Sequence, residues 1–377
     1  MDLNKEMPSS LTALLAYLDD QGIKDHRRYQ MVRTYLNFRA REKDVPVSGC
    51  FELTPLCNLD CKMCYVHLQK EQMQDAELLS VDTWKKLMKQ AIDAGMMYAR
   101  LTGGECLTYP GFKELYLYLQ EQGVETVILS NGILMTSDMV DFLKKYQPAA
   151  IQITLYGASE EAYDKVCGHR MFSQVVENIK ALKAAQLPVT VAVTPNAYME
   201  DGEDIVRLVH SFGINVRINS GLMSPRKETG RDKQDAGLDV YVKMLKLKNS
   251  LMGQDDFSSY DEESLPDPGG QGDSQCGVRC GAGRSCFSIS WSGEMRPCNT
   301  FPEVTANVLQ LGFNECWQYI NTKVKSFPLP IECEGCEYQK VCKHCVAEHA
   351  SDAPIGHASP AICAWAKRMA TEGIIKL

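Results

Sequence analysis

Three cysteines early in the chain are spaced as ligands of a metal cluster. They stand in the run Cys57-Asn-Leu-Asp-Cys61-Lys-Met-Cys64, which has the form C-x3-C-x2-C. Three thiolates can hold three corners of a four-iron cubane and leave the fourth iron without a protein ligand. A catalytic metal needs such an open position to bind and activate a substrate. The spacing therefore predicts a reactive cluster.

A larger group of cysteines lies between residues 280 and 363. Its members follow the patterns C-x5-C-x11-C and C-x2-C-x5-C-x2-C-x17-C, and they are Cys280, Cys286, Cys298, Cys333, Cys336, Cys342, Cys345 and Cys363. Because C-x2-C pairs serve zinc as readily as iron, the spacing alone leaves a pair of zinc sites open. The chain has 16 cysteines and no segment that resembles an export signal, so we expect metal ligands or packing residues, not a disulfide framework.

The elements that must position the first three cysteines are short apolar runs that alternate with helical patterns. Strands are predicted at 50–53, 99–102, 126–129, 150–155, 189–193 and 216–219, and helices at 81–94, 112–121, 137–144, 172–185 and 201–211. Repeated βα units imply a parallel sheet with right-handed crossovers, and six units favour an open partial barrel. Cys57 follows the first strand, at the edge where such folds place active sites.

With these motifs the sequence resembles the radical S-adenosylmethionine (SAM) superfamily, whose hallmark is this cysteine spacing after the first strand of a partial barrel. The resemblance implies that Cys57, Cys61 and Cys64 carry a [4Fe–4S] cluster. It further implies that the amine and carboxylate of SAM chelate the open iron. One electron then cleaves the sulfonium, and a 5′-deoxyadenosyl radical abstracts hydrogen from the substrate.

The second predicted strand ends in Leu101-Thr102-Gly103-Gly104-Glu105, which resembles the Gly-Gly-Glu motif of the same superfamily. Glycines let the backbone approach a ligand closely, and a carboxylate at a strand end can accept hydrogen bonds from the ammonium group of SAM. We therefore expect Gly103, Gly104 and Glu105 to contact the cofactor. A simple βα turn is the alternative for the motif on its own.

Three other residues are expected to contact SAM. Thr154 stands near the end of the fourth strand, where the family places a polar residue close to the ribose or the methionine carboxylate. Arg170 could pair with that carboxylate, although a solvated surface arginine is an equal alternative. Met63 precedes the third cysteine, where the family often has an aromatic residue beside adenine, and we expect a backbone contact there.

The C-terminal cysteines resemble the SPASM extension of radical SAM enzymes, which holds two auxiliary [4Fe–4S] clusters. The resemblance assigns the first auxiliary cluster to Cys280, Cys286, Cys298 and Cys345, and the second to Cys333, Cys336, Cys342 and Cys363. Cys345 follows Cys342 after two residues where the family usually has three. Cys276 is the alternative to Cys280.

The predicted fold class is α/β, a partial (β/α)6 TIM-like barrel with an N-terminal helical cap and a small C-terminal iron–sulfur domain. The expected boundaries are 1–48 for the cap, which has helices at 11–18 and 29–38, and 49–225 for the radical SAM core. They are followed by 226–275 for a helix at 238–250 and an acidic linker, 276–365 for the SPASM domain and 366–377 for a tail.

Charge and hydropathy limit the partners that we expect. The formal net charge is −8, and no basic stripe is present that could neutralise phosphates, which argues against a nucleic-acid partner. No apolar stretch is long enough to span a bilayer, so no membrane association and a cytoplasmic location are expected. Cluster chemistry implies a low-potential electron donor such as flavodoxin or ferredoxin.

SPASM enzymes act mainly on peptides or proteins, and one residue favours a subclass. Sulfatase maturases have an aspartate base after the last cysteine of the first auxiliary series, whereas Asn299 follows Cys298 here. An asparagine cannot accept a proton in that role. We therefore expect a peptide maturase that forms a thioether or carbon–carbon cross-link in a ribosomal precursor peptide, with no catalytic acid or base assigned. A formylglycine-generating sulfatase maturase, a small-molecule radical oxidoreductase and a non-catalytic iron–sulfur or zinc protein are the alternatives.

Overall fold

The computed structural model describes residues 8–73, 77–220, 224–226, 229–230, 236–252, 277–339, 342 and 345–374, without the side chain of His26. Two N-terminal helices are present as predicted, α1 (Leu11–Asp20) and the longer α2 (Asp25–Glu42). Ser10 caps α1 by accepting a hydrogen bond from the Ala13 N–H at 3.1 Å. Leu14, Leu18 and Tyr35 form a small core between the two helices.

The six predicted strands form a parallel sheet. They are β1 (Ser48–Glu52), β2 (Tyr98–Thr102), β3 (Glu125–Ser130), β4 (Ala150–Thr154), β5 (Val189–Val193) and β6 (Val216–Ile218). Each pairs in parallel with its sequence neighbour, from β1 to β6 in spatial order. This confirms the predicted α/β sheet, whose connections must cross over because parallel neighbours cannot be joined by tight turns.

Helices connect these strands and bury their apolar faces against the sheet. They are α3 (Val81–Asp93), α4 (Phe112–Glu121), α5 (Ser137–Lys145), α6 (Glu160–Cys167), α7 (Phe172–Ala184), α8 (Gly202–Ser211) and α9 (Leu238–Met252). Helix α6 was not predicted from the sequence. It begins after Ser159, whose side chain accepts from the Ala162 N–H, and ends at Gly168 with φ of 70°. Both are standard boundary signals for a helix.

The sheet continues into the C-terminal region through β7 (Cys286–Ile289), β8 (Glu294–Arg296) and β9 (Ala306–Asn307). β7 pairs in parallel with β1, and β8 and β9 add antiparallel strands, which gives a nine-stranded sheet. Phe51 of β1 contacts Phe287 of β7 with ring centroids 5.9 Å apart. Strands from both sides of the expected domain boundary at residue 276 therefore belong to one sheet. The boundary itself stays a prediction.

Four helices complete the described C-terminal part: α10 (Val308–Leu311), α11 (Phe313–Lys325), α12 (Val346–Asp352) and α13 (Pro360–Thr371). α11 is tied to the turn after α2, because Trp317 Nε1 donates to the Asp44 carbonyl at 2.8 Å and Asn321 Nδ2 donates to the Asp44 carboxylate at 3.0 Å. Within the described ranges, no helix is both long and apolar enough to cross a membrane. Most of the expected acidic linker, at 253–276, lies outside the described residues.

Candidate active site

The cysteine loop leaves the carboxyl end of β1 and is fixed by helix α6. The backbone N–H of Asp60 donates to the Cys167 carbonyl at 3.1 Å, and that of Lys62 donates to the Val166 carbonyl at 3.0 Å. The last carbonyls of a helix have no partner within the helix, so the loop satisfies them. The Cys64 N–H closes a turn onto the Cys61 carbonyl at 3.0 Å.

The thiols of this loop lie close enough to influence one another electrostatically. The pKa of the Cys57 thiol is raised to about 12, mainly by burial. A backbone hydrogen bond at Leu59 opposes this rise, and the negative charges of Glu105, Cys61 and Cys64 contribute to it. Cys61 is buried, and Cys57 and Cys64 are partly exposed. Metal binding must displace the thiol protons. Three neighbouring thiols in a partly buried loop therefore fit a cationic cluster, which would stabilise the thiolates.

The glycines of the Gly-Gly-Glu motif allow the cysteine loop to approach the end of β2. A Cβ atom on Gly104 would lie 2.3 Å from the Leu56 carbonyl oxygen, and one on Gly103 would lie 2.4 Å from that of Thr54. Gly103 also has φ of 153°, which disfavours other residues. The Gly104 N–H donates to the Thr54 carbonyl at 2.6 Å. The close approach that requires the glycines is thus to the protein backbone.

Glu105 is a buried carboxylate whose oxygens accept several hydrogen bonds from the protein. It is 1% exposed, and its oxygens accept hydrogen bonds from the Asn131 N–H at 2.7 Å, the Leu107 N–H at 3.0 Å and the Ser130 hydroxyl at 3.0 and 3.1 Å. Burial raises the pKa of Glu105, and the hydrogen bonds oppose that shift. Its carboxylate joins the ends of β2 and β3, and the expected contact of this side chain with the SAM ammonium group stays a prediction.

Asn131 is a residue that the sequence analysis missed. It follows β3, is 5% exposed, and its Nδ2 donates to Asn58 Oδ1 at 2.7 Å and to Cys57 Sγ at 3.6 Å. Its position directly after a predicted strand, at the same sheet edge as Glu105, was the available signal. Asn131 thereby connects the end of β3 with the cysteine loop.

The other residues expected at the cofactor have different surroundings. Thr154 is the last residue of β4 and is partly exposed, and Met63 is buried at 6% exposure. Both expectations stay predictions. Arg170 lies at the surface with 56% of its side chain exposed and pairs with Glu161. The surface position agrees with the alternative of a solvated arginine, and the expected pairing of Arg170 with a SAM carboxylate stays a prediction.

A buried ion pair links the cysteine loop to the C-terminal region. Arg226 donates to both oxygens of Glu52 at 2.8 and 2.5 Å and to the Asn299 carbonyl at 3.1 Å. Its backbone N–H donates to the Tyr65 carbonyl at 3.0 Å, and its guanidinium lies 5.8 Å from the Tyr65 ring centroid. Asn299 Nδ2 donates to Cys50 Sγ at 3.3 Å. The residues after Cys64 and Cys298 thus meet at one arginine.

A cavity of about 130 Å³ lies beside this arginine. The segment after the cysteine loop forms one side of it, and the β7–β8 turn forms another. Its lining comprises Val66, Leu68, Arg226, Thr229, Ser290, Trp291, Ser292, Glu294 and Arg296.

The C-terminal cysteines lie in two groups that resemble the expected ligand sets. The Cys345 thiol interacts electrostatically with Cys298 and Cys280, and burial raises its pKa. The Cys333 thiol interacts with Cys342, Cys363 and Cys336, and burial raises its pKa to about 11. The register of β7 with β8 pairs Ser288 with Arg296. Cys286 precedes Ser288 by two residues and Cys298 follows Arg296 by two. The two ligand sets stay predictions, and Cys276 lies outside the described residues.

In the part of the chain that the structure describes, no three His, Cys, Asp or Glu side chains are arranged to hold a single metal ion. A cubane makes a different demand, because each thiolate binds its own iron atom. Thiols that lie near one another without converging on a single metal position are therefore compatible with a four-iron cluster.

Comparisons with known proteins agree with this geometry. The sequence model of the radical SAM superfamily matches residues 51–212. The subtilosin biosynthesis protein AlbA of Bacillus subtilis is 24% identical over 90% of this chain and 75% of its own length. The sporulation killing factor maturation protein SkfB of the same species is 31% identical over 45% of this chain and 41% of its own length. Streptococcus suis SuiB has a similar fold, with a TM-score of 0.66 and 16% identity over 93% of this chain and 86% of SuiB.

Proposed function

Since the chain is an enzyme of the radical SAM superfamily, we propose that it forms a thioether or carbon–carbon cross-link in a ribosomally made peptide. The proposal rests on the occurrence of a three-cysteine loop and two further cysteine groups in one chain. The same chain is similar to AlbA over 90% of its residues. AlbA and SkfB are named for subtilosin biosynthesis and killing factor maturation, and SuiB was crystallised with its precursor peptide SuiA.

The first cluster site is built from one loop. Cys57, Cys61 and Cys64 would hold a [4Fe–4S] cluster, and the cluster with SAM supplies the radical that begins the reaction when both are bound. The chain's own contribution is to fix the loop, since α6 accepts its backbone N–H groups and Gly104 donates to its first residues. A low-potential electron donor such as flavodoxin or ferredoxin is the proposed partner for this site.

Two auxiliary [4Fe–4S] clusters are proposed for the C-terminal groups. The first would use Cys280, Cys286, Cys298 and Cys345, and the second Cys333, Cys336, Cys342 and Cys363. The electrostatic grouping of Cys345 with Cys298 and Cys280 supports the first set, and the grouping of Cys333 with its three partners supports the second. Burial raises the pKa of the Cys345 and Cys333 thiols. Because cluster binding must displace thiol protons, we expect cluster binding and the folding of this region to be linked.

The surroundings of Asn299 favour cross-linking over formylglycine formation. Its amide donates to Cys50, and its backbone carbonyl accepts from Arg226. The nearby carboxylate of Glu52 is 2% exposed and is held by both terminal nitrogens of Arg226. Neither group is placed to take a proton from a substrate thiol or hydroxyl. The chain therefore has an amide where a sulfatase maturase is expected to have its base.

The test combines metal analysis with a peptide assay. The protein is purified without oxygen, reconstituted and analysed for iron and sulfide, and about twelve irons per chain are expected from three four-iron clusters. Replacing Cys57, Cys61 and Cys64 together by alanine should remove about four irons and abolish formation of 5′-deoxyadenosine. Replacing either C-terminal set should remove about four irons but leave the first site loaded.

The substrate is tested separately. Co-expression with a short peptide encoded beside the gene should yield a peptide that has lost two hydrogen atoms, with the cross-linked residues located by tandem mass spectrometry. Zinc in place of iron would contradict the proposed cofactors. Cleavage of SAM without modification of any such peptide, together with oxidation of a sulfatase peptide, would contradict the proposed substrate class.

A further inference from the structure

The amide of Asn131 has one orientation, which its neighbours determine. Its Oδ1 accepts a hydrogen bond from the Ile133 backbone N–H at 3.1 Å, and a backbone N–H can only donate. The opposite side of the amide must therefore be the NH2 group. That group faces Asn58 Oδ1 at 2.7 Å and Cys57 Sγ at 3.6 Å. Each of its two hydrogens thus has an acceptor.

The turn that carries Asn131 is also fixed. The Asn131 backbone N–H donates to the buried Glu105 carboxylate at 2.7 Å, and the Gly132 N–H donates to the Ser130 hydroxyl at 3.0 Å. From the other side, Asn178 Nδ2 donates to the Gly132 carbonyl at 2.8 Å. The amide is therefore held toward Cys57 by hydrogen bonds to the surrounding backbone and side chains.

We propose that Asn131 is a positioning residue whose side-chain N–H raises the reduction potential of the first cluster through the Cys57 sulfur. This inference rests on the proposed function, since it assumes that Cys57 binds the SAM cluster. Hydrogen bonds to cluster sulfurs are among the features that set the potential of an iron–sulfur centre. An N–H dipole stabilises the reduced, more negative cluster more than the oxidised one. Burial at 5% exposure strengthens that effect.

Cys57 as a cluster ligand is a thiolate, which cannot donate a hydrogen bond to Asn58 and can only accept one. The Asn131 NH2 group is the side-chain donor placed to meet it. Cys64 Sγ accepts from the His67 backbone N–H at 3.3 Å, a contact that no side-chain substitution removes. Asn131 is therefore the position at which a donor to this loop can be deleted selectively.

The test compares Asn131→Ala and Asn131→Asp with the matched control Asn58→Ala. Asn58→Ala deletes the neighbouring amide but keeps the N–H to Cys57. The anaerobic protein is titrated in potential without peptide and followed by electron paramagnetic resonance. The signal that changes when SAM is added identifies the first cluster. Asn131→Ala should favour oxidation about tenfold, a shift of about 59 mV to lower potential for one electron, and Asn131→Asp should shift it further. Asn58→Ala should change the ratio less than threefold.

Three results would overturn the inference. One is an unchanged potential in Asn131→Ala at full iron content, and another is an equal shift in Asn58→Ala. The third is loss of the first cluster from both Asn131 variants with a native circular dichroism spectrum, which would assign the residue to loop structure alone. If the unmodified protein shows no signal that responds to SAM, the proposed cofactors fail instead, and that outcome is distinguishable from these three.

Discussion

The buried pair of Arg226 and Glu52 provides a stringent test of how the cysteine loop is held. The Glu52 side chain is 2% exposed and that of Arg226 is 12% exposed, so removal of the cation leaves a carboxylate in the interior. Breaking a buried pair from one side costs about 3–5 kcal/mol. At about 2 °C per kcal/mol for a protein of this size, Arg226→Met should lower Tm by about 6–10 °C.

A double-mutant cycle separates the pair from the other contacts of Arg226. Glu52→Gln combined with Arg226→Met removes both charges, and the double variant should be more stable than the sum of the single losses by at least about 1 kcal/mol. Melting of the reconstituted protein is followed without oxygen by far-ultraviolet circular dichroism. Arg170→Met is the matched control, because it breaks an exposed pair with Glu161 and should cost less than about 1 kcal/mol. Additive losses, or a Tm within about 2 °C of the parent for Arg226→Met, would refute the reasoning.

Three further predictions concern the loop, the α11 contact and the cofactor. Gly104→Ala should lower the free energy of unfolding by about 1–3 kcal/mol in denaturant melts, because its Cβ would lie 2.3 Å from the Leu56 carbonyl oxygen. The control Gly237→Ala should leave the free energy of unfolding unchanged, because no atom lies within 4 Å of the added Cβ. Asp44→Ala should lower the denaturation midpoint more than Asp44→Asn, since Asp44 has φ of 56° and accepts from Asn321, and asparagine tolerates that backbone region and retains an acceptor. Thr154→Val should weaken SAM binding by about 3–10-fold in equilibrium dialysis if its hydroxyl contacts the cofactor. Replacing the surface-exposed Arg170 by alanine should change SAM binding by less than about twofold. Equal losses of SAM affinity in both variants would contradict the contact assigned to Thr154.

The barrel strands were predictable because their apolar character is local. β4, β5 and α4 begin where the sequence pattern places them, and α4 also ends there. α6 was not predicted because its eight residues carry few apolar side chains, although Ser159 and Gly168 mark its ends. The pairing of β7 with β1 joins segments more than two hundred residues apart. No local pattern encodes such a partner.

In the candidate site too, features encoded by neighbouring residues were predictable, whereas contacts between distant segments were not. The cysteine spacings are local, and the thiols do lie in groups. Glu105 was expected to contact SAM because it ends a Gly-Gly-Glu motif and its carboxylate can accept hydrogen bonds from the ammonium group. Its burial depends on Ser130 and Asn131, which arrive from the next strand. The contact of Asn131 with Cys57 likewise depends on three strand-end loops meeting at one edge.

The shared sheet relates the position of Cys286 to that of the cysteine loop. Cys286 opens β7 and is registered with Ser48 at the amino end of β1, whereas Cys57 lies beyond the carboxyl end of the same strand. The four residue steps from Ser48 to Glu52, at about 3.3 Å each, separate these levels by at least about 13 Å along the strand. That span is set by backbone hydrogen bonds and by Arg226, which contacts both Tyr65 and Asn299. Because the two sites share one hydrogen-bonded frame, their separation cannot change through movement of an independent C-terminal domain without breaking the β1–β7 pairing.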